Sequence, residues 1–366
     1  MPTDLHTAAA DAAHAEREKR VAARLADLLA NDPEFRAAMP LAEVQAAIEQ
    51  PGVPLSRILA TIMEGYADRP ALGQRAHELV TDAQTGRRTR QLLPRFETIS
   101  YRQAWSRVQA LASAWCHDPA APLHAGDMVC VLGFAGIAYA VLDLACIHLG
   151  IVCVPLQTNA PIAQLVRIIE ETQPRLLATS MDCLDTAVDC ALAADRPARL
   201  LVIDHAPEDD DHRDRFAAAL QRVAGHAQPV SLEPLGVLEQ RGQSLPAAPA
   251  FVAPEGEDPL ATIFYTSGST GSPKGAMYTE RMFRSPWVRG SAVPLICLNY
   301  MPLNHSFGRS WLGRILASGG TCHFTARSDL SMLFEDLALV RPTTLNLVPR
   351  ICEMVFHQYQ GLLARQ

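Results

Sequence analysis

The chain has 366 residues, 49% of them apolar and 19% charged, with a formal net charge of −7. That composition excludes wholesale disorder and supplies core-forming residues for two or three domains. No basic field is present to hold nucleic acid, so an anionic ligand has to be bound by a local site rather than by overall charge.

The first 30 residues are Ala-rich and charged, with no apolar run of signal-peptide type, and helical text continues to about residue 60. From Ser100, the segment ISYRQAWSRVQALASAWC places Ala104, Val108, Leu111 and Ala112 at helical spacing, which predicts one buried face. Residues 128–156 are apolar enough to span a membrane, but Asp143 and His148 lie inside the run and Gly133, Gly136 and Gly150 punctuate it. The run is therefore read as a strand over 128–134, a helix over 137–149 and a strand over 151–155. Further strands are predicted over 175–180 and 199–204, with helices over 161–172 and 182–194 between them. This alternation predicts a parallel sheet covered by helices.

Residues 205–212, HAPEDDDH, are read as a solvated acidic loop, with a metal site between the two histidines as the alternative. The six prolines between 229 and 259 predict a long connection over the surface. The sheet then resumes with a strand over 261–267, and later strands are predicted over 293–300, 321–324 and 343–348. The nine cysteines form no C-x-x-C pair, and their number is odd. They are read as reduced core thiols of a cytoplasmic protein.

Residues 265–275 read YTSGSTGSPKG and follow the β-forming residues Thr262, Ile263 and Phe264 directly. Three glycines let the backbone turn tightly and present successive N–H groups as an anion nest. Thr266, Ser267, Ser269, Thr270 and Ser272 add hydroxyl donors, and Lys274 adds a mobile positive charge. Every group in the stretch donates a hydrogen bond or bends the chain, which suits a polyphosphate; a flexible linker would need neither the strand nor the lysine. The Walker pattern G-x-x-x-x-G-K-[ST] is excluded, because its second glycine would fall on Pro273 and Gly275 follows Lys274.

The stretch resembles the phosphate-binding signature of the adenylate-forming superfamily, which comprises acyl-CoA ligases, peptide-synthetase adenylation domains and luciferases. The G-x-x-x-x-P-L string ending at Gly150, Pro155 and Leu156, YMPLNHSFGR at 300–309 and VRPTTLNLVPRICEMVF further on resemble other motifs of that superfamily. The segments LLPRFETISYRQAWSRVQALASAW, YTSGSTGSPKGAMYTERM and LFEDLALVRPTTLNLVPRICEMVFHQYQ are most similar to those of carboxylic acid reductases. The resemblance runs from about residue 55 to the end. It implies a helical extension over 1–54 and a partial AMP-binding core over 55–366. The implied fold is α/β: the large N-terminal subdomain of the adenylate-forming fold, with parallel sheets packed with helices.

By that resemblance a carboxylate attacks the α-phosphorus of ATP to give acyl-AMP and pyrophosphate, and a thiol then takes the acyl group. Thr266, Ser267, Gly268, Ser269, Thr270 and Gly271 would cradle the β- and γ-phosphates, and Lys274 would pair with the departing pyrophosphate. His305 would donate to the carboxylate or α-phosphate oxygens. Lys274 and His305 are thus the implied catalytic residues. Mg2+ would ride on phosphate oxygens, with no protein metal ligand assigned. Asn304 and Ser306 are weaker candidates for contact, and Phe307 and Gly308 are read as either channel or packing residues. Ser100, Tyr101 and the four tryptophans are read as structural, and Arg350 as an ion-pairing support.

Two strings of the superfamily, Y-G-x-T-E and T-G-D, are not found, and neither are the small C-terminal lid, a carrier serine motif or a Rossmann fingerprint. The expectation is an incomplete fold lacking the lid. Its parent protein would add a phosphopantetheine carrier domain and an NADPH-dependent reductase domain as partners in the same chain. A stand-alone acyl-CoA or acyl-AMP ligase and a non-catalytic nucleotide-binding module are the alternatives.

Overall fold

The computed structural model describes residues 3–364 except 195, 196, 198, 228, 229 and 267–272. Among the described residues the strands are β1 (Pro70–Thr81), β2 (Arg88–Ser100), β3 (Met128–Leu132), β4 (Val152–Pro155), β5 (Leu176–Thr179), β6 (Arg199–Val202), β7 (Ser231–Pro234), β8 (Leu260–Thr266), β9 (Lys274–Thr279), β10 (Ile296–Asn299) and β11 (Thr321–Phe324). Seven of them form one sheet in the order β7-β6-β5-β3-β4-β8-β9, and four form a second in the order β10-β11-β1-β2. The larger sheet is parallel except for the antiparallel β8–β9 pair. The smaller is mixed, with β1 antiparallel to β2 and parallel to β11.

The apolar runs follow from two-sided burial. Val129, Val131, Leu176, Ala178 and Leu201 join one core, while Cys130, Leu132, Leu177, Leu200 and Val202 join the other. Successive residues of a strand point to opposite faces, so both sets must be apolar when helices cover both faces. The helix Ile137–Leu149, between β3 and β4, is buried along nearly its whole length, which accounts for its membrane-like text. Among the described residues no helix is long and apolar enough to cross a membrane. That helix ends at Gly150, whose φ of +68° is the left-handed cap that glycine adopts without strain. A side chain there would also strike the Phe251 ring.

The helix Tyr101–Cys116 starts with a capping box: Ser100 accepts from the Gln103 N–H, and the Gln103 side chain accepts from the Ser100 N–H. Tyr101 is fully buried and donates to the Gly320 carbonyl at 2.7 Å, tying this helix to β11. Both residues are structural, as expected. Trp115 and Trp287 are wholly enclosed and Trp105 is buried; Trp311 packs at the edge of the same core.

Several expectations are corrected. The region between residues 60 and 100 holds the long β1–β2 hairpin, which has no clean alternation because most of its outer half is exposed on both faces. The proline-rich region is not only a surface connection: it contains β7 and the helix Leu235–Gly242. Pro234 ends the strand and caps the helix, and Leu235 and Leu238, three apart, are buried. Residues 343–348 form no strand; Thr343 alone bonds to β10, where its N–H donates to the Ile296 carbonyl and its hydroxyl accepts from the Ile296 N–H at 2.9 Å. Seven of the nine cysteines are buried, Cys116 is half-buried and Cys352 is exposed; all nine are free thiols.

The acidic run is the N-terminus of the helix Asp210–Ala224, where it fastens that helix to the hairpin. Asp209 accepts from the Asp211 and His212 N–H groups as the cap and from the Arg90 N–H at 2.9 Å. Asp210 accepts from the Arg88 N–H at 2.9 Å, and Arg87 pairs with Asp211 and Asp214. Burial alone would raise the Asp209 carboxyl, but the backbone N–H donors of Arg90 and His212 outweigh it and hold the carboxyl below its ordinary range.

Candidate functional site

The glycine- and serine-rich stretch closes a β-hairpin. β8 and β9 pair antiparallel down to the couple Thr266 and Lys274, and the Thr266 hydroxyl approaches the Lys274 carbonyl at 3.5 Å. Ser267, Gly268, Ser269, Thr270 and Gly271 lie outside the described residues. Their two flanks are fixed: Thr266 ends β8, Lys274 begins β9, and both are exposed. The sequence reading found the strand before the loop but missed the one after it. KGAMYT is exposed at its first four positions and carries no buried alternation.

His305 caps the helix Ser306–Ala317, with its Nδ1 accepting from the Phe307 N–H at 3.2 Å. An imidazole that accepts through Nδ1 carries its proton on Nε2, so the free edge of the exposed ring is a donor. Gly308 makes the turn before this helix compact: a β-carbon there would lie 2.3 Å from the Pro302 carbonyl oxygen. Packing, not lining a channel, is therefore the role of Gly308, whereas Phe307 is 42% exposed.

Two amides tie the loops together. Asn304 donates to the Leu156 carbonyl at 3.0 Å, and Gln157 reaches the Tyr265 carbonyl at 3.4 Å. Leu156 and Gln157 follow β4, Tyr265 lies at the end of β8, and residues 300–305 follow β10. The carboxyl ends of β4 and β8 and the β10-to-helix loop are thus linked into one rim. Open α/β sheets bind ligands outside the carboxyl ends of their strands. Asn304 is a rim-building residue rather than a free contact. The amide Gln157 was missed by sequence reasoning; its place two residues after the proline of the G-x-x-x-x-P-L string was the available signal.

Beneath the rim lies an ion pair, also missed. Arg309 and Asp143 are enclosed at 1% exposure each. Arg309 Nε donates to Asp143 Oδ2 at 3.0 Å, Nη2 donates to Asp143 Oδ1, and Nη1 donates to Thr262 Oγ1 at 2.5 Å. Burial alone would lower the guanidinium's proton affinity, but Asp143 more than offsets this and keeps Arg309 charged. Arg350, expected as an ion-pairing support, is exposed in the first turn of the helix Pro349–Leu363 and makes no ion pair among the described residues. Nor do the described residues hold any group of three or more His, Cys, Asp or Glu side chains arranged for a metal ion.

Comparison with known proteins gives a consistent picture. Residues 73–365 match the family described as AMP-binding enzyme. A carboxylic acid reductase of Mycobacterium tuberculosis is 49% identical over 355 residues, which is 95% of this chain and 30% of that protein. The chain therefore spans about 30% of the length of such curated relatives. The adenylation domain of the Segniliparus rugosus carboxylic acid reductase, solved with AMP and a co-purified carboxylic acid, superposes with a TM-score of 0.89 at 42% identity. That match covers 93% of this chain and 56% of the solved one. The didomain of the same reductase, which adds the carrier protein and was solved with AMP, gives a TM-score of 0.90 at 43% identity, over 94% of this chain and 49% of that one.

Proposed function

This chain belongs to the AMP-binding enzyme family, and on that footing we propose that it is the nucleotide-holding portion of the adenylation module of a carboxylic acid reductase. The overall reaction is ATP-dependent conversion of a carboxylic acid to acyl-AMP and pyrophosphate. The partition into a helical extension over 1–54 and an adenylation core over 55–366 belongs to the same reading, although Val44 and Ile48 already pack into the main core. Transfer to a phosphopantetheine carrier and NADPH-dependent reduction are assigned to further domains of the kind found in the relatives. A cytoplasmic setting accords with nine free thiols.

One observation carries the proposal: the hairpin root, with Thr266 opposite Lys274, shares its rim with the His305 cap through Gln157 and Asn304. Carboxylate and triphosphate repel, so the barrier is lowered by holding them together and by neutralising charge as it develops. Loop N–H and hydroxyl groups from Thr266 to Gly271 take the β- and γ-phosphates. Lys274 follows the charge that collects on pyrophosphate as it leaves. His305 donates from Nε2 to the carboxylate or to an α-phosphate oxygen, where charge grows as the pentacoordinate phosphorus forms. Mg2+, when bound, neutralises phosphate charge. Phosphate oxygens and water would be its main ligands.

Calorimetric titration with AMP and ATP, together with ATP–pyrophosphate exchange over a panel of benzoic and fatty acids, tests the reading. The chain would be compared with a version joined to the rest of a homologous adenylation domain. Nucleotide binding by both, with exchange in the longer protein only, is the expected result. A folded chain that binds neither nucleotide at millimolar concentration overturns it.

A further inference from the structure

Arg309 is among the largest side chains that the protein encloses completely. Its fork holds Asp143 from the helix Ile137–Leu149 and Thr262 from β8, and Thr262 passes the link to the Cys153 carbonyl on β4 at 2.7 Å. The rings of Phe283 and Phe264 cover the guanidinium, with centroids 4.7 and 5.4 Å away. A fully dehydrated ion pair is a poor source of stability, because dehydrating both charges offsets their attraction; apolar residues of similar size commonly serve as well. What it supplies instead is direction, since a planar fork fixes two neighbours in one geometry.

That direction bears on the site from two sides. The Arg309 N–H donates to the His305 carbonyl at 3.3 Å, so the clamp sits one helical turn from the cap. Thr262 and Phe264 share a face of β8 with Thr266, the residue opposite Lys274 at the hairpin root. We propose that Arg309, clamped by Asp143 and Thr262, is a positioning residue that sets the His305 cap against the hairpin root formed by Thr266 and Lys274, so that imidazole and Lys274 address one ligand. The ligand arm of the test rests on the nucleotide reading above; the exchange arm does not.

The test uses Arg309→Met with Asp143→Leu, which removes both charges and leaves neither one buried alone, and Arg309→Lys, which keeps the charge and loses the fork. Three quantities are measured: the thermal midpoint, amide hydrogen exchange at Phe307 against Leu316, and calorimetric affinity for AMP against inorganic tripolyphosphate. In the double variant, the expected result is a midpoint close to that of the unchanged chain, exchange at Phe307 about tenfold faster with Leu316 unmoved, and AMP affinity down about tenfold with tripolyphosphate affinity nearly unchanged. Arg309→Lys should shift the same readouts in the same direction. A folded double variant with unaltered Phe307 exchange and AMP affinity overturns the proposal. So does failure of both variants to fold, since the clamp would then be purely structural. Were the unchanged chain to bind no nucleotide, the function reading would fall, while Phe307 exchange would still decide the clamp.

Discussion

At the scale of single residues, His305 does two jobs that substitution can separate. Its Nδ1 caps a helix and its Nε2 edge faces out. His305→Asn keeps a good cap acceptor and loses the outward donor. Stability should stay within about 0.5 kcal/mol, whereas AMP affinity should drop about 10- to 100-fold, the range for one hydrogen bond to a charged group. His305→Ala should lose the same affinity and about 1 kcal/mol of stability besides. Calorimetry with a parallel melt separates the two, and unchanged affinity in His305→Asn would return the residue to a purely structural role. For Lys274→Ala in a complete adenylation protein, pyrophosphate exchange should slow by about 100-fold with the melting temperature unchanged. The chemistry proposed for the loop rests on contiguous donors: hydroxyls, glycines and a lysine follow a strand within eleven residues. His305 carries no such local signature, and only the resemblance singled it out. Arg309 was invisible, because its partner lies 166 positions away. Asp143 gave half the signal: an acid inside an apolar helix demands a partner without saying which.

At the scale of elements, β3, β4, β5, β6 and β8 of the larger sheet and β10 and β11 of the smaller one were readable, whereas the edge strands β7 and β9 and the β1–β2 hairpin were not. Two-sided burial writes itself as unbroken apolar text, as in β3, β4, β5 and β6. The outer half of the β1–β2 hairpin is held instead by backbone pairing and by the helix Asp210–Ala224, neither of which leaves a periodic trace. That fastening makes a pH prediction. Asp209 and Asp210 have folded-state carboxyls below their ordinary values, so their stabilisation is complete above the ordinary carboxylate range. It is lost as the pH falls through the depressed values, below about pH 4. Asp209→Ala should therefore cost about 2 kcal/mol near neutrality, from a lost cap and a lost bond to Arg90. The deficit should shrink as the pH approaches 3. Thermal melts of both proteins from pH 7 to 3 give the comparison. A deficit that stays constant across that range would show that the charge of Asp209 contributes nothing.

At the scale of the whole molecule, the helix Pro349–Leu363 joins a core only in its first turns, where Ile351 packs with Leu298, Tyr300 and Leu333 and Met354 lies against them. Ile351 is its one buried residue, while Phe356, Tyr359, Leu362 and Leu363 are all more than half exposed. Adjoining Leu347 is exposed as well. A contiguous apolar surface of this kind favours association in water. The isolated chain should show concentration-dependent association in sedimentation velocity. Phe356→Lys with Leu362→Lys should raise the monomer fraction severalfold without moving the melting temperature. Association unaffected by these changes would locate the sticky surface elsewhere.

The pairing of Leu72 with Cys322 also has a consequence in time. Residues 128–279 hold all seven strands of the larger sheet, so it can form as soon as that stretch has left the ribosome. β1 must wait for a neighbour 250 positions downstream. At about 5–20 residues per second, that wait is roughly 10–50 s. Through it, the nascent hairpin has one edge without a partner strand, and the clasp of Asp209 and Asp210 on Arg90 and Arg88 is complete long before β11 is synthesised. Loosening that clasp should therefore lower the yield of chain folded during synthesis more than it lowers the stability of chain already folded.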